Sequence, residues 1–410
     1  MTRRSLLLAP ALAYAAAPEI RREVFLKAPR KGVALMAMAY YTKKRGLEMT
    51  SIEERWSRSD TIDTAYYRQS KDNGKTWSEP VEHKTGERMA KGMLRRHLRG
   101  GWVDPHNGRL IEFWNEGVLP SDDPLEGLRQ WQIYYRVGDD PKVHQIVHKG
   151  YEPDHPFATI WRGKNSVMIG YHPGQPLALK DGTILLPVSV TPLTEDGKLY
   201  NPTGGYTWHD SGVIRGRWRG KDIEWEMGQL VKGDPARVTR GMDEPTLGML
   251  TRNRVLMVLR ASNDKNHALP SYRWISISAD GGRTWTEPKP WTYTTGGNFF
   301  SPSSCSQLVH HSSGRLYWLG NITPANPRGN RPRYPFVIGE VDQDSGLLVK
   351  NSVRIVDDKA PNEDPLLTLS NFYAREDRVS KEIAVHMTRM FAFPNGWEGD
   401  AMLYTIPVVR

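Results

Sequence analysis

An all-β fold is the expectation for this chain, on three observations. One eight-residue pattern occurs twice: Ser70 to Trp77 reads SKDNGKTW and Ser278 to Trp285 reads SADGGRTW, and Glu-Pro follows each within a few residues. Both fit Ser-x-Asp-x-Gly-x-Thr-Trp. Asp and Gly favour a tight turn, since Gly accepts positive φ and Asp bonds nearby backbone N–H groups. Thr and Trp then re-enter a strand, where β-branched and aromatic side chains pack well. The second observation is a series of short apolar runs at fairly even spacing with turn residues between them. The third is composition: 14 Trp and 17 Tyr accompany scattered Gly and Pro, and no long helical periodicity interrupts them.

The strand candidates follow in order. GVALMAMAYY, ending at Tyr40-Tyr41, reads as a buried strand, and Thr61 to Gln69 leads into the first repeat. Next come Gly108 to Asn115, Trp131 to Val137, Ser166 to His172 and Asp181 to Val190. Arg254 to Ser262 and Tyr272 to Ser278 lead into the second repeat. Gly314 to Asn321, Pro335 to Val341, Glu382 to Thr388 and Ala401 to Val408 complete the series. Each is a short β-branched or aromatic run bounded by Gly, Pro, Asn, Asp or Ser.

The repeated octapeptide resembles the Asp-box of the sialidase (neuraminidase) superfamily, in which each copy closes a blade of a β-propeller. The Asp-box is a structural device and also occurs in propellers that are not sialidases. The resemblance implies a six-bladed propeller, at roughly 65 residues per blade with large inter-blade loops. The two copies lie too far apart for adjacent blades, so the blades between them carry degenerate hairpins. The last strand is expected to pair with the first to close the ring.

The N-terminus, MTRRSLLLAPALAYAAAPE, reads as an export signal. Arg3 and Arg4 form a positive end, Ser5 to Ala13 a short apolar run, and small residues follow, with cleavage after Ala15 or Ala17. The expected organisation is a signal peptide over 1–17 and one propeller domain over 18–410, placed in the periplasm or outside the cell. The adjacent arginines fit twin-arginine export and equally an ordinary secretory signal. No later segment is apolar for long enough to span a bilayer. Cys305 is the only cysteine, which excludes an intramolecular disulfide and argues against structural zinc. The formal charge of +10 favours an anionic partner. An acidic glycan fits better than nucleic acid, for which no recognition motif is present. No organic cofactor or metal is implied.

The sialidase resemblance also implies site residues. Asp243 to Arg260 reads DEPTLGMLTRNRVLMVLR, with Glu244 and Arg260 where the family activates a tyrosine and clamps a substrate carboxylate. Arg binds carboxylate through a planar two-pronged contact. Arg55 to Gly74 carries the general acid/base candidate Asp60, with Asp63 second, and Arg55, Arg58 and Arg68 nearby; Arg58 is a candidate substrate contact. His172, in GYHPG, is expected at the central face. In GNITPANPRGNRPRYPF, Arg333 and then Arg331 match the next clamp arginine, and Asn321 is expected to face the pocket.

Two departures stand out. The family's nucleophilic tyrosine falls on Leu369 in an ungapped match, so Tyr373 is the nucleophile candidate only if the loop is shifted. The family's first clamp motif, Arg-Ile-Pro, has no counterpart, and Arg30 is only roughly in its place. The expected activity is hydrolysis of a terminal, acidic, sialic-acid-like sugar. A lyase or glycosidase acting on uronic-acid polysaccharide, with His172 or Tyr373 as base, is the first alternative. A non-catalytic glycan-binding propeller with platforms such as Trp114 and Trp318 is the second.

Overall fold

The structure is a computed structural model, described for residues 19–125, 131–146, 166–394 and 396–408. The signal-peptide segment 1–17 lies outside the described residues. Six antiparallel sheets form the blades of a β-propeller.

The first blade runs β2 (Ala34–Tyr41), β3 (Met49–Trp56), β4 (Thr64–Ser70) and β5 (Val81–His83). The second contains β6 (Gly86–Met89), β7 (Gly92–Val103), β8 (Leu110–Leu119), β9 (Gln132–Val137) and β10 (His144–Gln145). The third holds β11 (Val167–Met168), β12 (Leu177–Ala178), β13 (Ile184–Val190), β14 (Asp210–Arg219) and β15 (Asp222–Met227). The fourth is β16 (Asp243–Met249), β17 (Val255–Arg260), β18 (Trp274–Ser278) and β19 (Lys289–Pro290). The fifth is β20 (Gln307–His310), β21 (Leu316–Asn321), β22 (Phe336–Val341) and β23 (Arg354–Asp357). The last blade joins β24 (Phe372–Glu376), β25 (Ile383–Thr388) and β26 (Ala401–Ile406) to β1 (Arg21–Leu26), with Arg21 opposite Thr405. The expected pairing of last strand with first therefore closes the ring.

Burial explains which strands stand out in the sequence. β13 (ILLPVSV) and β17 (VLMVLR) are buried along their whole length, because neighbouring blades cover both faces. They read as continuous apolar runs, as strands buried on both sides do. β8 alternates half-buried and buried residues with period 2, as a strand with one covered face must. β3 (MTSIEERW) and β7 (GMLRRHLRGGWV) have no such signature, yet both are strands. Their charges are matched across the sheet: Glu53 takes Arg68 of β4, and Arg96 faces Glu116 in register. Of Ser166 to His172, only Val167 and Met168 are strand, and a turn follows. Among the described residues no helix is long and apolar enough to cross a membrane.

Both octapeptides join the third and fourth strands of their blades, between β4 and β5 and between β18 and β19. Their hydrogen bonds match bond for bond. Ser70 Oγ donates to Asp72 Oδ1 at 2.8 Å and accepts from the Gly74 N–H; Thr76 N–H and Oγ1 donate to Asp72 at 2.9 and 2.6 Å. Ser278, Asp280, Gly282 and Thr284 repeat the set. Gly74 and Gly282 have φ of 79° and 81°, where a side chain would strain the turn. Hydrogen bonds from Thr76 pull the Asp72 carboxyl down to about 2. For Asp280, burial pushes upward, but the Thr284 and Ser278 bonds prevail and the carboxyl also falls to about 2.

Asp280→Ala is expected to cost about 1 kcal/mol of stability at neutral pH, the scale of an anchoring hydrogen bond. Because the folded-state pKa is depressed, this contribution is full above the ordinary aspartate value of 3.8 and fades as pH falls through about 2. Thermal melts of both proteins at pH 7 and pH 2 should show a gap that narrows in acid.

Candidate active site

A cleft of about 800 Å³ opens at the ring centre, and all six blades contribute to its wall. Residues distant in sequence meet there because each blade directs its inner strand and adjoining loops to the axis.

Glu244 and Arg260 form the core of the site. Asp243 and Arg260 are register partners at the same end of β16 and β17, so the next residue, Glu244, can turn towards the guanidinium. Arg260 Nη1 donates to Glu244 Oε2 at 2.7 Å. Glu244 has φ of 42°, and the pairing slips between Asp243 and Thr246, where Pro245 removes a ladder donor. A positive φ at glutamate is strained, and the neighbours hold it there. Its N–H donates to Ser189 Oγ and to Asp243 Oδ1 at 3.1 and 2.8 Å. Gly170 packs against it so closely that a Cβ there would lie 2.9 Å from Glu244 Cγ. The Cys305 thiol donates to the same carboxylate at 3.2 Å, and burial followed by the Glu244 charge holds it protonated.

Around this pair the wall is cationic. Ser303 links two arginines: its Oγ accepts from Arg260 Nε at 2.8 Å and its carbonyl from Arg333 Nη2 at 3.1 Å. Arg240 donates to Thr207 Oγ1 at 2.7 Å. Among the described residues neither Arg240 nor Arg333 has a carboxylate within ion-pair distance, and the buried Nε of each lacks a hydrogen-bond partner. Burial, then the neighbouring Arg260 charge, lowers both, Arg333 to about 10. In Arg260 burial also opposes the charge, but Glu244 and Asp243 prevail and raise its pKa. Behind them Arg273 is buried, bonded to Ser304 O and Ser301 Oγ at 2.8 and 2.9 Å, and burial lowers it to about 9. Arg99 adds a further buried guanidinium, held by the Leu98 and Ile169 carbonyls.

Tyr206 connects the cationic wall to an acid: the Arg240 guanidinium lies 5.3 Å over its ring, and its hydroxyl reaches Asp60. Asp60 is exposed, with φ of 53°, and accepts from Ser59 Oγ and Tyr206 Oη at 2.8 and 3.3 Å. Burial, reinforced by Asp60, raises the Tyr206 hydroxyl to about 12. Trp56, Trp131, Phe391 and Trp397 also line the cleft.

Not every sequence-predicted residue reaches the cleft. Asp60, Glu244, Arg260, Arg331 and Arg333 line it. Tyr373 does not: it is packed in the core of the first and last blades, where burial raises its hydroxyl to about 12. Thr368 and Asn371 occupy the wall instead. His172 is fully buried, with Nε2 3.4 Å from Glu54 Oε1 and its ring stacked on Tyr171. Asn321 is a brace whose amide donates to the carbonyls of Arg333, Pro335 and Leu369. Arg58 is drawn away by Asp122 at 2.8 Å, while Asp63 and Arg30 are exposed outside the cleft. Trp318 is fully buried and offers no platform, and Trp114 lies in a separate crevice.

Sequence reasoning missed Arg99, Tyr171, His209 and Arg240. A signal for Arg99 exists: in LRRHLRGG, Arg95, His97 and Arg99 alternate along β7 with the strand period. Tyr171 stands beside the chosen His172. His209 lies in no motif; its Nδ1 is 3.5 Å from Asp243 Oδ2, and its Nε2 has no hydrogen-bond partner among the described residues.

Fold and site together define a sialidase-like β-propeller. The chain belongs to the BNR repeat-like domain family, whose profile matches residues 159–371. Among solved structures, a Dyadobacter fermentans protein of unknown function is 14% identical, with 95% of this chain and 99% of that chain covered and a TM-score of 0.60. A Hadza microbial sialidase is 14% identical over 92% of this chain and 66% of its own, with a TM-score of 0.56. Trypanosoma rangeli sialidase, solved with 2,3-difluorosialic acid, is 12% identical over 95% of this chain and 58% of its own, with a TM-score of 0.57. At these identities the likeness is one of fold. No curated protein matches the chain.

Replacing Arg273 with Ala takes the guanidinium donor from the buried Ser304 carbonyl and from the Ser301 hydroxyl, which keeps only its bond to the Asn321 carbonyl, and is expected to cost about 2–4 kcal/mol, more than an exposed arginine would. A denaturant melt of this variant beside Arg331→Ala, whose side chain is exposed, checks the contrast.

Proposed function

We propose that this protein is an exo-acting glycoside hydrolase whose substrate ends in an acidic, sialic-acid-like sugar, and that it acts outside the cytoplasm. The observation that carries the reading is the wall of Arg240, Arg260 and Arg333, in which only Arg260 has a carboxylate partner among the described residues. A substrate carboxylate relieves their mutual repulsion and offers the planar acceptor that guanidinium binds best.

In this reading Asp60, exposed and steadied by Tyr206, gives its proton to the leaving oxygen as the glycosidic bond breaks. Glu244 takes the proton from a water whose oxygen bonds to the anomeric carbon. Tyrosine attack is less well supported. Tyr373 is out of reach, and Tyr171, which lines the cleft, is held protonated by burial and then by the Glu54 charge. A second reading, elimination on a uronate, has one observation in its favour: the His209–Asp243 pair in the wall. His209 would take the proton beside the uronate carboxylate while the bond to the leaving oxygen breaks.

Residues 18–410 should release fluorophore from 4-methylumbelliferyl sialoside, with no unsaturated product from uronic-acid oligosaccharides. Unsaturated products alone would transfer the protein to the elimination reading, and silence on both substrates would contradict both. With the sialoside, Glu244→Gln should lose at least about 100-fold in kcat. Tyr373→Phe should stay within about twofold of the parent, since its hydroxyl is remote from the cleft. Arg333→Ala should raise KM more than it lowers kcat if its contact is equal in ground and transition states.

A further inference from the structure

The crevice between the first two blades shares no wall residue with the central cleft. It encloses about 290 Å³. One wall is aromatic: Trp114 of β8 and Tyr134 of β9 lie side by side, ring planes 13° apart and centroids 6.1 Å apart. Tyr40, Tyr67 and Phe113 extend this surface. Gly101 of β7 admits Tyr40, because a Cβ there would lie 2.2 Å from its ring.

The polar groups of the crevice come in matched pairs. Arg96 is paired with Glu116, and Arg136 Nη2 donates to Glu112 Oε2 at 2.5 Å. Tyr40 Oη donates to Glu112 at 2.8 Å, and Trp114 Nε1 to Glu116 at 3.3 Å. Burial, then the Arg96 and Arg136 charges, lowers the His83 pKa and keeps this ring uncharged near neutrality. Two guanidiniums and two carboxylates cancel, so the crevice has no charge with which to select an ion. What it offers is flat aromatic surface flanked by both donors and acceptors.

That combination fits one chemical class. A pyranose ring carries an apolar C–H face that lies on aromatic rings and an edge of hydroxyls that both donate and accept. A cavity at the small end of ligand pockets, about 300 Å³, suits one ring better than a chain of sugars. We propose that this crevice is a second carbohydrate site, which holds a single uncharged pyranose unit apart from the central cleft. It gives the protein a grip on the neutral part of a glycan, whatever the cleft binds.

The test is saturation-transfer NMR with calorimetric titration of the full chain, using methyl glucoside, methyl galactoside and methyl N-acetylglucosaminide as probes and glucuronate as the charged control. At least one neutral glycoside should bind saturably, with Kd near about 1 mM. Trp114→Ala should weaken that binding at least about 10-fold, while Arg333→Ala in the cleft leaves it within about twofold. Val143 belongs to the crevice wall and is 54% exposed, so Val143→Trp narrows the space without disturbing the core and should give the same loss. Three results would each overturn the proposal: no saturable binding of any neutral probe up to about 50 mM, binding indifferent to both Trp114→Ala and Val143→Trp, or binding lost only in Arg333→Ala. The response of Arg333→Ala to sialoside is read separately, so a failure of the cleft reading is distinct from a failure here.

Discussion

The central cleft depends on one interaction, the buried contact between Glu244 and Arg260. Guanidiniums gathered in a largely buried wall repel one another, and burial penalises each charge. Glu244 neutralises the most central of them, and Ser303 ties Arg260 to Arg333 through its hydroxyl and carbonyl. Arg240 and Arg273 are held by neutral oxygens rather than by carboxylates. The wall therefore keeps a local excess of positive charge at the ring axis. A lysine in place of Arg260 would keep the charge and lose the planar fork that reaches Glu244 and Ser303 together.

The same contact shapes the backbone. Glu244 reaches Arg260 only from a left-handed conformation at a bulge, and Pro245 sits where the ladder has already broken. Ser189 from the third blade, Asp243 from the fourth and the bare backbone at Gly170 hold it there. Strain at one residue is thus borne by two blades, which is possible because the ring brings β13 and β16 side by side. The Asp-box turns, at the third-to-fourth strand connections, secure hairpins and do not line the cleft. In these two blades the Asp-box turn and the cleft-lining residues therefore lie in different parts of the sheet.

Much of this was legible in the sequence, for reasons that differ by element. The Asp-boxes were readable because every bond in them lies within one octapeptide. Strands buried on both faces, such as β13 and β17, announced themselves as unbroken apolar runs. Glu244 and Arg260 came from the resemblance of one strand–turn–strand stretch to a sialidase element, and the register of β16 and β17 brings the two ends of that stretch together. β3 and β7 were hidden because their charges are matched by partners on other strands, which no local pattern records. The errors at Tyr373, His172, Asn321 and Arg58 share a cause. Each is a polar residue of plausible chemistry whose surroundings are set by residues distant in sequence: Glu54 beside His172, Asp122 on Arg58, and the Arg333, Pro335 and Leu369 carbonyls on Asn321. Asn371, just before β24, reaches the wall, Tyr373 two residues further along the chain is packed in the core, and Asn321 braces the loop that carries Arg333.

The central claim is that the wall of Arg240, Arg260 and Arg333 receives the carboxylate of an acidic sugar. A crystal structure of the protein soaked with free N-acetylneuraminic acid tests it most directly. The account predicts the sugar carboxylate within hydrogen-bonding distance of at least two of these guanidiniums, with its ring towards Asp60. A sugar bound elsewhere, or one whose carboxylate faces solvent while the arginines keep only their present partners, would contradict it.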